Sequence, residues 1–277
     1  MDSYFGDIIY TDDFMWEKLE IYELPKFLYH YTSIENLALI LKNNTIRFSR
    51  LDGVNDMNEA MALNLPNANT AIFNSSWTSE SSESIPMWKM YTKDMEGVRI
   101  KLPINMFKGR DEPRVFEKGG SRLSHTDSIT IDRVNLNYSF TSGSILGPNK
   151  IYYTDDEKYL YSKVLNQDEQ NIRINLYDLG MFKKKSWEFE QEWRFKILAL
   201  HEEVYLPNDE YTKMILDLET YPIIQKYIDI NLEPDIFNEA EITLGPKASE
   251  AQYIILNALI EKFAPQAKIH RSNLQIR

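Results

Sequence analysis

Phe189-Glu190-Gln191-Glu192-Trp193-Arg194-Phe195-Lys196-Ile197-Leu198 is the stretch that decides how the chain folds. Apolar and charged residues alternate along it. Strand side chains point alternately to opposite faces. Phe189, Trp193, Phe195 and Ile197 then share one face, and Glu190, Glu192, Arg194 and Lys196 the other. The pattern predicts a strand with one buried face. Two carboxylates on one strand face repel unless cations neutralise them or a ligand uses them. Arg194 and Lys196 offer neutralisation, as a surface salt-bridge ladder. The surrounding Trp and Phe offer the other setting, a carboxylate in a partly apolar cleft, where catalytic groups are found.

Working outward, residues 27–31 (Phe-Leu-Tyr-His-Tyr) read as another strand. Thr32 and Glu35 form an S/T-x-x-E capping box. Ile34, Leu37, Ala38 and Leu41 follow at helical spacing, with Asn43-Asn44 as a stop and a short strand over 45–49. Residues 67–84 read as a strand flanked by polar loops. Pro86 suits the first turn of a helix over 85–91. Val98, Ile100 and Leu102 alternate with Arg99 and Lys101 as a half-buried strand. Residues 150–154 predict a strand, 156–178 a helix, and 119–128 an exposed loop. Near the end come a strand over 241–244, a Gly245-Pro246 turn, a helix capped by Ser249 with Gln252, and a strand over 268–276. Strands and helices mix without a βαβ rhythm. The expectation is one α+β domain spanning 1–277, with a split, mostly antiparallel sheet and flanking helices.

Bulk properties narrow the function. The chain has 277 residues, 43% hydrophobic and 26% charged, enough apolar material for a full core. It has no Cys, so disulfides, thiolate nucleophiles and Cys-based metal sites are excluded. Its first residues lack a basic n-region, and no apolar run approaches the ~18 residues of a membrane span. These features lead us to expect a cytoplasmic protein with no membrane partner. The net charge of −11 opposes general nucleic-acid coating, which depends on Lys and Arg. Lys183-Lys184-Lys185 and the stretch 101–114 are the only basic candidates, and both read as solvated surface.

No G-x-G-x-x-G, Walker loop, H-E-x-x-H or G-x-S-x-G occurs. His30, His125, His201 and His270 are scattered, with no metal-ligand spacing, so no metal is expected. Weaker signals remain. His30-Tyr31-Thr32 joins a strand to a capped helix. A His there can donate to a ligand hydroxyl or be satisfied by backbone. Trp88 and Tyr91 can stack a flat ring or fill a core. Asn55, Asp56 and Glu59 lie in a polar loop that can be a turn, a cap or a ligand clamp.

Taken in order, Leu28-Tyr29-His30-Tyr31-Thr32-Ser33, Asn55-Asp56 with Glu59, Met87-Trp88 with Tyr91 and Gly97-Val98, Glu190-x-Glu192-Trp193-Arg194, Leu244-Gly245-Pro246 and Ser272-Asn273-Leu274 resemble a large bacterial family known as a domain of unknown function. The resemblance runs over about 27–276. Asn74 departs from its pattern, where a small residue or Cys is expected. That family in turn resembles a branch of the ADP-ribosyltransferase fold, with DarT-type toxins and RNA 2′-phosphotransferases as relatives; Asn36-Leu37 and Ile40-Leu41 carry this likeness. The resemblance implies a split mixed or antiparallel sheet with flanking helices. It implies that NAD is the substrate, bound through His30, Tyr31, Thr32, Tyr91 and Trp88. Glu192 is then the catalytic carboxylate, and Glu190 positions the acceptor. A toxin or anti-phage effector modifying RNA or single-stranded DNA, with a partner antitoxin protein, is the implied role. NAD hydrolysis, a protein acceptor and a non-catalytic nucleotide- or peptide-binding sensor are the alternatives. The role of Arg194 is left open.

Overall fold

The computed structural model describes residues 8–56, 59–108, 138–140, 145–167, 172–201, 218 and 222–276. The expected loop over 119–128, His125, the end of the 101–114 basic stretch, and Met57 and Asn58 lie outside them.

The chain begins with α1 (Asp12–Leu19), β1 (Phe27–Thr32), α2 (Ile34–Asn43), β2 (Thr45–Arg50), β3 (Ile72–Thr78), α3 (Ile85–Tyr91) and β4 (Val98–Pro103). Short elements follow: β5 (Tyr138–Phe140), β6 (Leu146–Lys150), β7 (Tyr152–Tyr153), α4 (Glu157–Leu160), β8 (Leu165–Gln167), β9 (Ile172–Ile174) and β10 (Phe182–Lys183). The long β11 (Glu192–His201), then β12 (Tyr227–Asn231), β13 (Glu241–Leu244), α5 (Glu250–Phe263) and β14 (Lys268–Arg271) complete it. The architecture is α+β, as expected. A mixed, mostly antiparallel sheet runs in the order β12-β2-β3-β1-β4-β13-β14, and β11 also pairs with β3. Within this sheet β13 and β14 are parallel. Among the described residues no helix is long and apolar enough to cross a membrane.

One sheet face is apolar. Leu28, Phe48, Phe73, Trp77, Ile100 and Phe195 are buried there. Helices α2 and α5 join the same core through Leu37 and Leu41, and Leu256 and Ile260. Each helix is set by local chemistry. Ser249 and Gln252 form the reciprocal capping box of α5. At α2 the cap is Ser33, not Thr32: Ser33 Oγ accepts from Asn36 N, and Thr32 is still in the strand. Asn44, left-handed at φ 52°, stops α2.

Gly97 is required by close packing. A Cβ there would lie 2.2 Å from the Thr32 carbonyl oxygen and 2.8 Å from Thr92 Cβ. It lets the start of β4 sit directly against the end of β1.

Four expected elements differ. The helix over 156–178 shrinks to α4, followed by the β8–β9 pair. Asn64 Oδ1 accepts from the backbone N–H of both Val164 and Leu165, donors a helix would have used. The strand expected from Phe189 begins only at Glu192; Lys185–Glu190 is a 3-10 helix that ends on left-handed Gln191. The last strand ends at Arg271. Ser272 Oγ then donates to Glu83, and the chain turns away across α3. The strand expected over 150–154 is divided between the end of β6 and β7.

Candidate functional site: a cleft at the split in the sheet

Strand β3 has two edges. Along one, β11 pairs with it from Ile72 to Thr78. The other is shared: β2 pairs at Phe73 and Asn74, and β1 only at Thr78. Between them β1 and β2 separate, and the edge of β3 near Ser76 has no strand partner. Asn74 and Thr78 pair toward this edge, so strand alternation points the Ser76 carbonyl into the gap. His30 Nδ1 donates to that carbonyl at 2.9 Å. The His30 ring lies against buried Trp77, with centroids 5.1 Å apart.

A cavity of about 220 Å³ opens at this split. His30 and Tyr29 from β1, Ser49 from β2, Ser76 from β3, Tyr91 from α3, and Glu190 with Glu192 all line it. The register explains the convergence of the strand residues other than His30, which leaves β1 on the opposite face from Tyr29, beside Trp77. Glu192 lies opposite Thr78 and Arg194 opposite Ser76. Tyr29 also lies opposite Thr78. One polar sheet face therefore carries residues from both ends of the chain.

The expected surface ladder is instead a buried ionic cluster. Glu190, Glu192 and Arg194 are only 3%, 4% and 1% exposed. Arg194 grips Glu192 with two bonds, Nε to Oε1 at 2.5 Å and Nη2 to Oε2 at 2.9 Å. Its Nη1 donates to Glu59 and to the Gly180 carbonyl. Lys183 Nζ donates to Glu190 and, at 3.1 Å, to Glu192. Tyr91 Oη donates to Glu190, and the Asn55 side chain bonds to Tyr91. Tyr153 Oη accepts from the Glu192 backbone N–H at 2.9 Å. With all carboxyls ionised, three carboxylates (Glu59, Glu190, Glu192) face two cations, an excess of one negative charge.

The two cleft carboxyls are driven apart. Burial would raise Glu192, but Arg194 and Lys183 outweigh it and hold the carboxyl at about 2. Burial and then the Glu192 charge raise Glu190 above its ordinary value, against the opposing pull of Lys183. Glu192 is thus the stronger acid of the pair and Glu190 the better proton acceptor. Paired titratable groups pushed in opposite directions are the pattern of divided acid and base roles. Burial lowers His30, against the opposing Ser76 bond. A neutral ring that donates from Nδ1 presents a lone pair on Nε2. The backbone bond is one of the two uses the sequence allowed for His30, and it leaves Nε2 able to accept from a ligand hydroxyl.

Other residues fall differently. Tyr31 lines the cleft, and its Oη accepts from Ser84 N. Trp88 is wholly buried against Tyr31 and donates Nε1 to Glu83, so it supports the wall of the cleft and presents no face to it. Thr32 is buried, with Oγ1 accepting from Asn36 Nδ2. Lys183 corrects the surface reading of the triple-Lys run, for it lies within the cluster. Strand β10 holds it there, opposite Tyr153 in the parallel pair with β7. Glu59 and Arg194, left without roles by the sequence, are central members. Among the described residues no group of three His, Asp or Glu is arranged to hold a metal ion.

Residues 87–195 match a family described as "Protein of unknown function (DUF2971)". That segment carries Met87, Trp88, Tyr91, Lys183, Glu190, Glu192 and Arg194. From outside it, His30 lines the same cleft and Glu59 joins the ionic cluster through Arg194. No curated protein and no solved structure matches the chain.

Proposed function

We propose that the cleft binds NAD and that the protein is an ADP-ribosyltransferase, with a nucleic-acid base on RNA or single-stranded DNA as acceptor. The observation that carries this reading is the meeting of His30, Tyr91, Glu190 and Glu192 around one cavity, although they come from distant parts of the chain. Breaking the bond between ribose C1′ and the nicotinamide nitrogen builds positive charge on the ribose. The bonding pair leaves with nicotinamide, whose pyridinium becomes neutral and needs no general acid. Ionised Glu192, in a cluster with one negative charge in excess, stabilises that developing charge. His30 Nε2 accepts from a ribose hydroxyl and Tyr91 flanks the ring. The acceptor nitrogen then bonds to C1′. Glu190, ionised in that cluster and of raised proton affinity, takes the acceptor's proton. An antitoxin protein that covers the cleft would suit a toxin with this activity.

The double grip of Arg194 on Glu192 favours a second reading, a non-catalytic domain that binds a nucleotide and uses the cluster as an internal strut. One assay separates the two: turnover of NAD labelled in the nicotinamide and adenosine halves, with total RNA, single-stranded DNA and cell protein as acceptors. Transfer of the adenosine label to nucleic acid is the expected result. Release of both halves without transfer indicates hydrolysis. Binding without turnover establishes the second reading.

A further inference from the structure

The cavity of about 220 Å³ is smaller than the ~300–1,000 Å³ of pockets that enclose a drug-sized ligand. A dinucleotide is larger still. If NAD is the ligand, a premise taken from the preceding section, only its nicotinamide–ribose half fits among Tyr91, His30 and the carboxylates. The remainder must leave over a wall of the cleft. On the side toward β4 that wall is Tyr29 and Tyr31.

Arg99 lies behind this wall, paired with Tyr31 across the β1–β4 ladder. Its guanidinium carbon is 4.7 Å from the Tyr29 ring centre and 5.9 Å from that of Tyr31. The residue is buried, with 9% exposure. Nη1 donates to the Ser81 carbonyl at 2.9 Å, and Nε has no partner. Among the described residues no carboxylate forms an ion pair with Arg99. Its neighbours differ. Lys101 pairs with Glu241 at 2.9 Å, and Arg194 and Lys183 are held by the ionic cluster. Glu83, on the loop that covers Arg99, is engaged by Trp88, Ser272 and Asn273. Glu80 on that loop is exposed. Buried charges are ordinarily paired, and an unsatisfied buried donor calls for an explanation.

We propose that Arg99 is the phosphate-recognising residue of the site, taking the diphosphate of a nucleoside diphosphate or dinucleotide whose sugar end enters the cleft. The planar guanidinium presents a fork of N–H donors matched to phosphate oxygens. The Tyr29 and Tyr31 faces hold it by cation–π contact without neutralising it. The anion supplies the missing counter-charge.

Calorimetric titration of wild type, Arg99→Gln and Arg99→Lys with ADP, NAD and nicotinamide riboside tests the proposal. Circular dichroism confirms folding of each variant. Arg99→Gln is expected to weaken ADP and NAD at least tenfold while riboside binding is unchanged. Arg99→Lys, which keeps the charge but loses the fork, is expected to weaken them several-fold; it serves if the Gln variant does not fold. ADP binding that depends on Arg99, without binding of NAD or riboside, upholds the phosphate subsite and removes the transferase reading. The proposal is overturned if a folded variant binds ADP and NAD as the wild type does, or if the wild type binds neither. In the first case, with NAD and riboside still bound, the transferase reading stands.

Discussion

Glu192 and Glu190 are two residues apart and contribute in opposite senses. Glu192 is bound by two cations. Removing one partner of a buried ion pair typically costs about 3–5 kcal/mol. Glu192→Gln is therefore expected to destabilise the fold by that order, by urea unfolding, and to lower NAD turnover about a hundred- to a thousand-fold. The turnover assay must be run where the variant is folded; wild-type-like turnover removes Glu192 from the mechanism. Burial and the Glu192 charge oppose the charge on Glu190. Glu190→Gln should therefore destabilise less than Glu192→Gln and lower turnover less. Lys196 supplies a pH test. Burial lowers it to about 7 from 10.5, while its Nζ donates to the carbonyls of Tyr177 and Leu179. Between those values the unfolded chain binds more protons than the folded one. Stability should then rise with pH from about 7 to about 10, with a slope of up to ~1.4 kcal/mol per unit. Lys196→Met should flatten that slope. An unchanged slope would show that Lys196 is charged in the fold.

Helix α3 places Tyr91 in the cleft, and its N-terminal end is held twice. Ser84 caps it, accepting from Met87 N. Beyond Arg271 the chain crosses it: Ser272 and Asn273 bond to Glu83, while Leu274 and Ile276 pack against the cluster of Tyr31, Met87, Trp88 and Met95. Removing residues 272–277 should therefore loosen α3 without unfolding the main sheet. Hydrogen exchange at the α3 amides should speed up at least tenfold, with α2 and α5 unchanged. Equal acceleration everywhere would show that the tail supports the whole fold. The join of β1 to β4 has no such tolerance. A Cβ at residue 97 meets backbone oxygen at 2.2 Å. Gly97→Ala should cost about 1–3 kcal/mol, the range for overpacking, read as a lower urea midpoint.

Across the molecule, the ionic cluster joins β11 to the segments that bring Glu59 and Lys183. Its acid response follows from the two carboxyls. Glu192 sits below its unfolded value, so its stabilisation is present above about pH 4.5 and is lost as pH falls toward about 2. Glu190 sits above its unfolded value, so its contribution is lost as pH rises from about 4.5 through the folded value. Wild type should lose stability in acid more steeply than Glu192→Gln, and Glu190→Gln should show less loss above pH 4.5. Coincident profiles for all three proteins would remove the cluster as a source of pH dependence.

The sequence by itself determined the elements whose signals are local. Alternation over 192–198 set the apolar and charged faces of β11, Ser249 with Gln252 started α5, and Asn44 stopped α2, because strand period and caps depend on neighbours within about four residues. It also brought His30, Tyr91, Glu190 and Glu192 into consideration together. Only the tertiary structure decided their environment. Lys183 reads as solvated surface until β10 pairs with β7 and sets it against Glu190 and Glu192. Trp88 reads as a stacking platform until Tyr31 and the C-terminal segment enclose it. The 156–178 helix disappears because Asn64, about a hundred residues away, takes its backbone donors. The cleft arises where β1 and β2 share one edge of β3 and leave the Ser76 carbonyl to His30. Such pairings join residues far apart in the chain. Burial and long-range hydrogen bonding decide them, and neither is encoded in any local pattern.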